Sequence, residues 1–326
     1  EIYLLKKRKN IMKFFQKKKT NLIQEEPVLA KKKKIKKRIE LSRLNEERDK
    51  FVPLNLIKNI KKKKIIFHNY YVKKIEKIKN GILVHCSNGS EEKKFITKKL
   101  VLGCGTLITT KLIMEYLDIK NEIRINHHPR LFSLYFSKKK LKSNMNFEPS
   151  YTHLKLKKNP FLFTADFRPG NEIIVNAIVK FKKILKPIKY LINIFREYMI
   201  FSNIFLESKY GNLFIKKKEK HYEIFSKEKN LKKIFKTTSR VIYQSLLKAK
   251  KILPVCHNYF PGFGADFHYF GTIPINGKNK LSVNEKCQLN RNKNIYIIDG
   301  SVLNFRKNKY PLGIIIANSR RIGREI

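Results

Sequence analysis

The C-terminal part of the chain contains the pattern that most restricts the fold. Asn294–Ile298 is a short apolar run of the kind that forms a buried strand, and it ends in Asp299-Gly300-Ser301. After a polar loop, Pro311 precedes a long apolar stretch with a basic end, Leu312–Ile326. Because proline suits the first turn of a helix and arginine suits the last, this region is predicted to be a strand, a tight turn and a helix.

A second strand, glycine turn and helix are predicted earlier in the chain. Phe95–Leu102 has the composition of a strand and ends in Gly103-Cys104-Gly105, and Leu107–Leu117 then has apolar residues at helical spacing. Asn80-Gly81 is a strong hairpin signal before them. Three shorter strands are predicted upstream, at Ile65–Phe67, Tyr70–Ile78 and Ile82–Cys86.

The middle of the chain has mixed patterns. Residues 130–265 are predicted to form an antiparallel sheet with helices on one face. The predicted strands are Leu131–Phe136, Glu172–Lys180 and a hairpin of Leu206–Tyr210 with Leu213–Lys217, and the predicted helices are Pro187–Phe205 and Leu231–Ile252. Residues 1–64 are rich in lysine, and Arg38–Lys50 has the charge mixture of an exposed helix.

The charge balance permits two interpretations. The chain has 74 Lys and Arg against 25 Asp and Glu, a formal net charge of +49. Such a charge is typical of a protein that binds nucleic acid or an anionic surface. However, the basic residues are mostly lysines spread along the whole chain, which is the bias expected of an A/T-rich genome, whereas nucleic-acid binders concentrate arginine beside aromatic residues. No nucleic-acid partner is therefore expected.

The cysteines and the lengths of the apolar runs bear on the expected cellular location of the protein. Four cysteines lie far apart and form no CxxC pair, so neither a zinc site nor a redox dithiol is predicted. Scattered thiols fit a reducing compartment, and a cytoplasmic location is expected. No apolar run reaches the ~18 residues of a membrane span. No signal peptide is visible either, in a chain that begins at Glu1.

His268 is the candidate for acid–base chemistry. A single histidine in an aromatic run such as Phe267–Thr272 is usually a core residue. Here the run is followed by a strand that ends in Asp299-Gly300-Ser301 and by a helix that Pro311 begins. A histidine near a strand end and a helix N-terminus suits hydride transfer from an alcohol, because the imidazole accepts the hydroxyl proton and the helix N-terminus stabilises negative charge on the acceptor.

These segments resemble a known family. His-x-x-Gly-Thr, then Asn-Ile-Tyr-Ile-Ile-Asp-Gly-Ser, then an apolar helix headed by proline is similar to the C-terminal signature of the glucose–methanol–choline (GMC) oxidoreductases, which use FAD. The resemblance implies that His268 is the active-site base beside the flavin. It also implies that Asp299 and Gly300 contact FAD, and that Pro311 and Leu312 lie beside its isoalloxazine ring.

Two upstream segments resemble the same family, in the expected order. The strand, turn and helix that contain Gly103 and Gly105 are similar to a segment of the family's cofactor domain, and these glycines are implied as cofactor contacts. Val72, in the strand before them, stands at the family's adenine-side position. Asn126-His127-His128-Pro129 is similar to the family's Asp-His-Pro element.

The sequence departs from the family pattern in two important places. The family carries His or Asn immediately before the proline of the last helix, whereas this chain has Tyr310. A phenol donates a hydrogen bond but is a poor base near neutral pH, so Tyr310 is expected to orient the substrate oxygen. The Gly-x-Gly-x-x-Gly loop that opens the family's FAD domain is also absent, and the simplest interpretation is that the sequence begins inside a longer protein.

The resemblance implies an α/β fold in two intertwined parts. Residues 65–129 and 267–326 would belong to an incomplete Rossmann-like FAD-binding domain. Residues 130–266 would form an α+β substrate domain, whose antiparallel sheet caps the flavin, and residues 1–64 a basic helical or irregular segment. The implied reaction is oxidation of a small-molecule alcohol, with a sugar or polyol as one expectation. No motif selects the alcohol or the electron acceptor.

Two other functions stay open from the sequence. One is a relative of the family that keeps the fold and FAD without turnover, which the substitution at Tyr310 favours. The other is a basic protein that binds nucleic acid or an anionic surface through its charge.

Overall fold

The structure is a computed structural model of the chain. It describes residues 22–25, 29–31, 40–42, 66–141, 152–158, 161–172, 175–176, 179, 186–219, 221–227, 231–262, 268–304 and 312–326. Contacts divide the chain into two compact units. The first comprises Glu1–Val52, Pro129–Glu207 and Lys229–Ala265, and the second comprises Pro53–His128, Ser208–Glu228 and Asp266–Ile326.

The first unit contains an antiparallel sheet of six strands. Their order is β1-β10-β11-β12-β9-β15. The strands are β1 (Leu22–Glu25), β9 (Arg130–Ser137), β10 (Thr152–Lys158), β11 (Phe161–Pro169), β12 (Met199–Leu206) and β15 (Ile252–Tyr259). A separate pair joins β2 (Leu29–Lys31) to β3 (Glu40–Ser42).

The first unit also contains the helices α2 (Lys189–Phe195) and α3 (Leu231–Lys248). The fully buried ring of Phe235 in α3 packs against Phe163 of β11, with ring centroids 6.0 Å apart. α3 therefore covers one face of the sheet, in agreement with the predicted architecture of an antiparallel sheet with a helix on one face.

The second unit contains three small sheets. β4 (Tyr71–Ile78), β5 (Gly81–Ser87) and β6 (Glu92–Thr97) form an antiparallel meander. β8 (Ile123–Ile125), β13 (Leu213–Lys217) and β14 (Tyr222–Ser226) form the second sheet. In the third, β7 (Leu100–Leu102) lies parallel to β17 (Asn292–Ile297), which also pairs with β16 (Gln288–Leu289).

The core of the second unit joins this parallel pair to two helices. Helix α1 (Thr106–Tyr116) follows β7, and helix α4 (Leu312–Ile322) closes the chain. Leu102 of β7, Leu112 of α1 and Ile295 of β17 are among its nearly fully buried residues. The fold is thus mixed α/β, as the sequence predicts, with antiparallel sheets and one parallel strand pair.

Several predicted elements were wrong. Residues 66–70 form no strand, and the predicted strand Phe95–Leu102 is two strands, because the Thr97 hydroxyl donates to Lys99 O at 2.7 Å and closes a turn. Glu172–Lys180 is not a strand. Glu172, Val175, Asn176 and Val179 are helical, and Val175 N donates to Asn171 O at 3.1 Å.

Pairing partners explain the other errors. The predicted helix Pro187–Phe205 ends at Phe195, because the residues after it form β12, an inner strand that pairs with β11 and β9. Leu213–Lys217 does not pair with Leu206–Tyr210 but with β14 and β8. In the N-terminal segment, Glu40–Ser42 is a strand where an exposed helix was predicted.

Two segments belong to the unit that contains their pairing partner. Residues 208–228 belong to the second unit because β13 pairs with β8. Residues 22–25 belong to the first unit because β1 pairs with β10. In the part of the chain that the structure describes, no helix is both long and apolar enough to cross a membrane.

Candidate functional site

The two parallel strands of the second unit end at the same edge of their sheet. Ile297 of β17 pairs with Leu102 of β7, and Ile298 N donates to Leu102 O at 2.9 Å. The turn Gly103–Gly105 follows one strand, and Asp299–Ser301 follows the other. Because ligands of α/β folds bind beyond the carboxyl ends of parallel strands, this edge is the candidate site.

Asp299 connects the two turns. Gly105 N donates to its Oδ2 at 3.0 Å and the Thr109 hydroxyl donates to the same oxygen. Ser301 donates to Oδ1 twice, from its backbone N at 2.9 Å and from its hydroxyl. These four donors fill the roughly four lone-pair positions of a carboxylate. Asp299 therefore fastens the end of β17 to the first turn of α1.

The N-terminus of α1 has the properties of an anion site. Gly105 is its N-cap with φ 85° and provides no side-chain cap, its own N–H donates to Asp299, and the first turn contains no acidic residue. A Cβ on Gly105 would have no atom within 4 Å, so the approach to the helix end is open. The unpaired N–H groups and the positive end of the helix dipole favour a negatively charged group there.

Cys104, between the two predicted cofactor glycines, is not an activated thiol. Although the residue as a whole is solvent-accessible, burial by the surrounding protein raises the pKa of its thiol, and the negative charge of Asp299 raises that pKa further. The thiol is therefore protonated near neutral pH. The thiol of Cys256 in the other unit is similar, because burial raises its pKa to about 11.

The segment after His268 is held at the same edge. The hydroxyl of Thr106, the first residue of α1, donates to Tyr269 O at 2.6 Å. Phe270 exchanges two backbone hydrogen bonds of 2.9 and 3.0 Å with Asn126, which belongs to the predicted Asp-His-Pro-like element. Gly271 N donates to Gly300 O at 3.0 Å. The backbone around half-buried His268 is thus fixed by α1, by Asn126 and by the Asp-Gly-Ser turn.

Gly300 is the point at which three elements meet. A Cβ on this residue would lie 2.9 Å from Thr106 Oγ1, 3.1 Å from Tyr269 O and 3.4 Å from Ile315 Cδ1. These atoms belong to the first residue of α1, to the residue after His268 and to the first turn of α4. The sequence predicts that His268 lies near the start of the last helix. Tyr269, the residue after His268, and Ile315 of α4 both border Gly300.

The remaining predicted residues are only partly described. Tyr310 and Pro311 lie outside the described residues, and Leu312 is described only as the first residue of α4. The basic end of this helix contains Arg320 and Arg321, as predicted. Val72 is a partly buried residue of β4, at an irregularity in its pairing with β5, and α1 packs against the same strand.

Three threonines of α1 were missed by the sequence analysis. Thr106, Thr109 and Thr110 occupy one side of the helix at the spacing i, i+3, i+4. Thr106 binds Tyr269 and Thr109 binds Asp299, while the Thr110 hydroxyl lies 2.6 Å from that of Thr272. Threonine is unfavourable in the interior of a helix. Three threonines on one side of a helix therefore indicate that their hydroxyl groups make contacts, and this was the signal available in the sequence.

Among the residues that the structure describes, no three His, Cys, Asp or Glu side chains are grouped so that they could hold a metal ion.

Comparison with known proteins supports the fold. No protein-family model and no curated protein matches the sequence. Among solved structures, pyridoxine 4-oxidase from Mesorbium loti is similar, with a TM-score of 0.50 and 13% sequence identity. The match covers 78% of this chain and 57% of that chain, so this chain spans little more than half the length of the oxidase. At this identity, the likeness shows a shared fold.

Proposed function

We propose that the protein is a FAD-dependent oxidoreductase of the glucose–methanol–choline family that oxidises an alcohol to a carbonyl. The observation that carries this proposal is the meeting of three elements at Gly300, beyond the carboxyl ends of β7 and β17. The likeness to an enzyme whose name describes an oxidation of pyridoxine favours the same class of reaction.

The residues at this edge suit FAD in charge and in shape. The N-terminus of α1 would hold a phosphate of the cofactor, with Gly105 allowing its close approach and Gly103 contacting the cofactor from the same turn. Gly300 would lie along the FAD chain, and Val72 on its adenine side. Because its carboxylate already accepts four hydrogen bonds, Asp299 would keep these groups in place as well as contacting the cofactor.

His268 would act as the general base. It would accept the hydroxyl proton of the alcohol, which is a common role of an imidazole in general base catalysis. Pro311 and Leu312 would border the isoalloxazine ring, and the Tyr310 hydroxyl would donate a hydrogen bond that orients the substrate oxygen. Bound FAD would accept the hydride from the alcohol carbon.

Anaerobic mixing of the FAD-loaded protein with alcohols tests this assignment. Pyridoxine, benzyl alcohol and glucose are suitable probes, and at least one should bleach the flavin absorbance. His268→Ala should retain FAD and slow the bleaching roughly a hundredfold to ten-thousandfold, the usual contribution of a general base. His221→Ala, at an exposed histidine of the same unit, is the matched control and should behave like the unmodified protein.

Two results would contradict the proposal in different ways. Undiminished bleaching by His268→Ala would remove the role of base from this residue. A protein that binds FAD but is reduced by no alcohol would be a member of the family without turnover, which is the alternative that Tyr310 favours.

A further inference from the structure

Helix α2 of the first unit presents an apolar surface to solvent. Five neighbouring side chains, here called the apolar patch, are exposed by 44–77%: Ile188 44%, Tyr190 77%, Leu191 55%, Ile194 53% and Phe195 54%. At 100° per residue, these positions occupy one continuous arc of the helix. Exposed apolar residues that are scattered singly are normal, but a contiguous group of this kind marks a contact surface.

The opposite side of α2 is mostly polar. Lys189, Ile192, Asn193 and Arg196 are half-buried, and Asn193 Oδ1 is buried with no hydrogen-bond partner among the described residues. A surface helix normally turns its apolar side inward and its polar side to water. α2 therefore turns its apolar side to water. This side has the composition of a surface that becomes covered when the protein binds another molecule or a membrane.

Exposed lysines gather at the same end of the six-stranded sheet. α2 leads through a 3-10 turn into Met199, which pairs with Phe136 near the end of β9, and the neighbouring Ser137 pairs with Ile252 at the start of β15. The residues after β9 and before β15 form the lysine rim, which consists of Lys138, Lys139, Lys140, Lys248, Lys250 and Lys251.

Two backbone hydrogen bonds keep the lysine rim beside α2. Lys138 N donates to Lys251 O at 3.1 Å, which joins the two halves of the rim. Leu141 N donates to Glu197 O at 2.7 Å, in the turn that directly follows α2. Glu197 also pairs with Lys140 at 3.5 Å and offsets one of the six positive charges of the rim.

We propose that the apolar patch and the lysine rim together bind the surface of an anionic lipid bilayer. Aromatic and aliphatic side chains on an interfacial helix enter the boundary between headgroups and acyl chains. Lysines at the edge of such a helix are attracted to anionic headgroups, each near the surface adding about a fivefold gain in affinity. This inference does not depend on the oxidoreductase proposal.

Other occupants fit the two features less well. A second copy of the chain would bring a second lysine rim against the first, and each chain has a formal net charge of +49. Nucleic acid would satisfy the lysines but would leave the isoleucines and the phenylalanine of the patch without an apolar partner.

Flotation with vesicles tests the proposal. The purified protein should float with vesicles of equal parts phosphatidylcholine and phosphatidylserine, and not with vesicles of phosphatidylcholine alone. Leu191→Ser with Phe195→Ser should weaken binding at least about tenfold through the lost apolar burial. Both side chains are largely exposed, so this change should leave folding intact.

A pair of triple variants separates local from general charge. Lys138→Gln, Lys139→Gln and Lys248→Gln together should weaken binding to the anionic vesicles at least about tenfold. The control changes Lys232, Lys233 and Lys236 to Gln, also exposed lysines of the first unit. These lie at the start of α3, with Lys232 about 24 Å along the helix from Lys248, and their loss should have little effect.

Each alternative result would overturn the proposal. No flotation with anionic vesicles, or equal losses in the two triple variants, would exclude a localised lipid site. Flotation that survives the change at Leu191 and Phe195 would exclude the apolar patch. A dimer in solution that these same changes dissociate would identify the patch as an interface between copies.

Discussion

At the scale of single residues, Asp299 has the most consequential environment. Its carboxylate is 8% exposed and accepts four hydrogen bonds from Gly105, Thr109 and Ser301. The resemblance to the family pointed to this residue as a contact of FAD, and that role stays a prediction. The structure adds that the same carboxylate connects two turns that are far apart in the sequence.

Asp299→Asn should destabilise the second unit and activate Cys104. An amide offers one acceptor oxygen where the carboxylate offers two, so buried donors lose partners at a cost of about 1–3 kcal/mol in the free energy of unfolding. Removal of the negative charge also removes one cause of the raised pKa of Cys104, so its pKa should fall and more thiolate should form near neutral pH.

Denaturant unfolding and the rate of iodoacetamide alkylation measure these two effects. The control is Glu285→Gln, which neutralises an acidic residue of the same unit away from the two turns. An unchanged alkylation rate at Cys104 in Asp299→Asn would show that the carboxylate does not influence the thiol.

At the scale of elements, α1 organises the candidate site. Its three threonines bind Tyr269, Thr272 and Asp299, which lie on two segments of the second unit, residues 268–272 and the Asp-Gly-Ser turn. The helix also supplies the open N-terminus that suits an anion. One element thus provides both the proposed cofactor end of the site and the contacts that fix the backbone beside His268.

Thr106→Val should loosen the segment that follows His268. The change keeps the side-chain shape but removes the hydroxyl that donates to Tyr269 O, which should lower the free energy of unfolding by about 0.5–1.5 kcal/mol. Hydrogen exchange at residues 268–272 should become faster. Thr106→Ser, which keeps the hydroxyl, should restore slow exchange.

Thr237→Val is the matched control for this change. Thr237 is an exposed threonine of α3 that donates only within its own helix, to Lys233 O, so its effect should stay within about 0.5 kcal/mol. Equal exchange at residues 268–272 in Thr106→Val and the unmodified protein would contradict a positioning role for Thr106.

Local sequence patterns predicted best those elements whose two faces each contact a single kind of environment. The strands and turns around Asn80-Gly81, α1 and the strand before Asp299 were predicted nearly to their ends. The prediction for Glu172–Lys180 failed because its β-branched residues favour strands, whereas the described residues Glu172, Val175, Asn176 and Val179 are helical. The residues of β12 were predicted as helix, since pairing with β11 and β9 is invisible in local spacing.

The candidate site was predictable only in part for a related reason. His268 and Asp299 stand in recognisable motifs, so the sequence could nominate them. The contact of Thr106 with Tyr269 spans 163 positions, and no local pattern reports which segments a helix will touch. Gly300 was nominated as a cofactor contact, but its crowded packing against Thr106, Tyr269 and Ile315 became visible only in three dimensions.

At the scale of the whole molecule, we propose two separate binding surfaces, one in each unit. The second unit contains the proposed cofactor edge, with α1, the Asp-Gly-Ser turn and the first turn of α4 meeting at Gly300. The first unit contains the apolar patch and the lysine rim. The net charge of +49 is thus compatible with an enzyme. The lipid binding that we propose uses only the lysines at one end of the six-stranded sheet.

Hydrogen exchange of the purified protein with and without FAD tests the central claim most directly, because it locates the cofactor as well as detecting it. We expect FAD to slow exchange in the first turn of α1, in residues 268–272 and in residues 299–303, while the six-stranded sheet serves as an internal reference. Slower exchange confined to other segments, or no change on adding FAD, would contradict a cofactor site beyond the ends of β7 and β17.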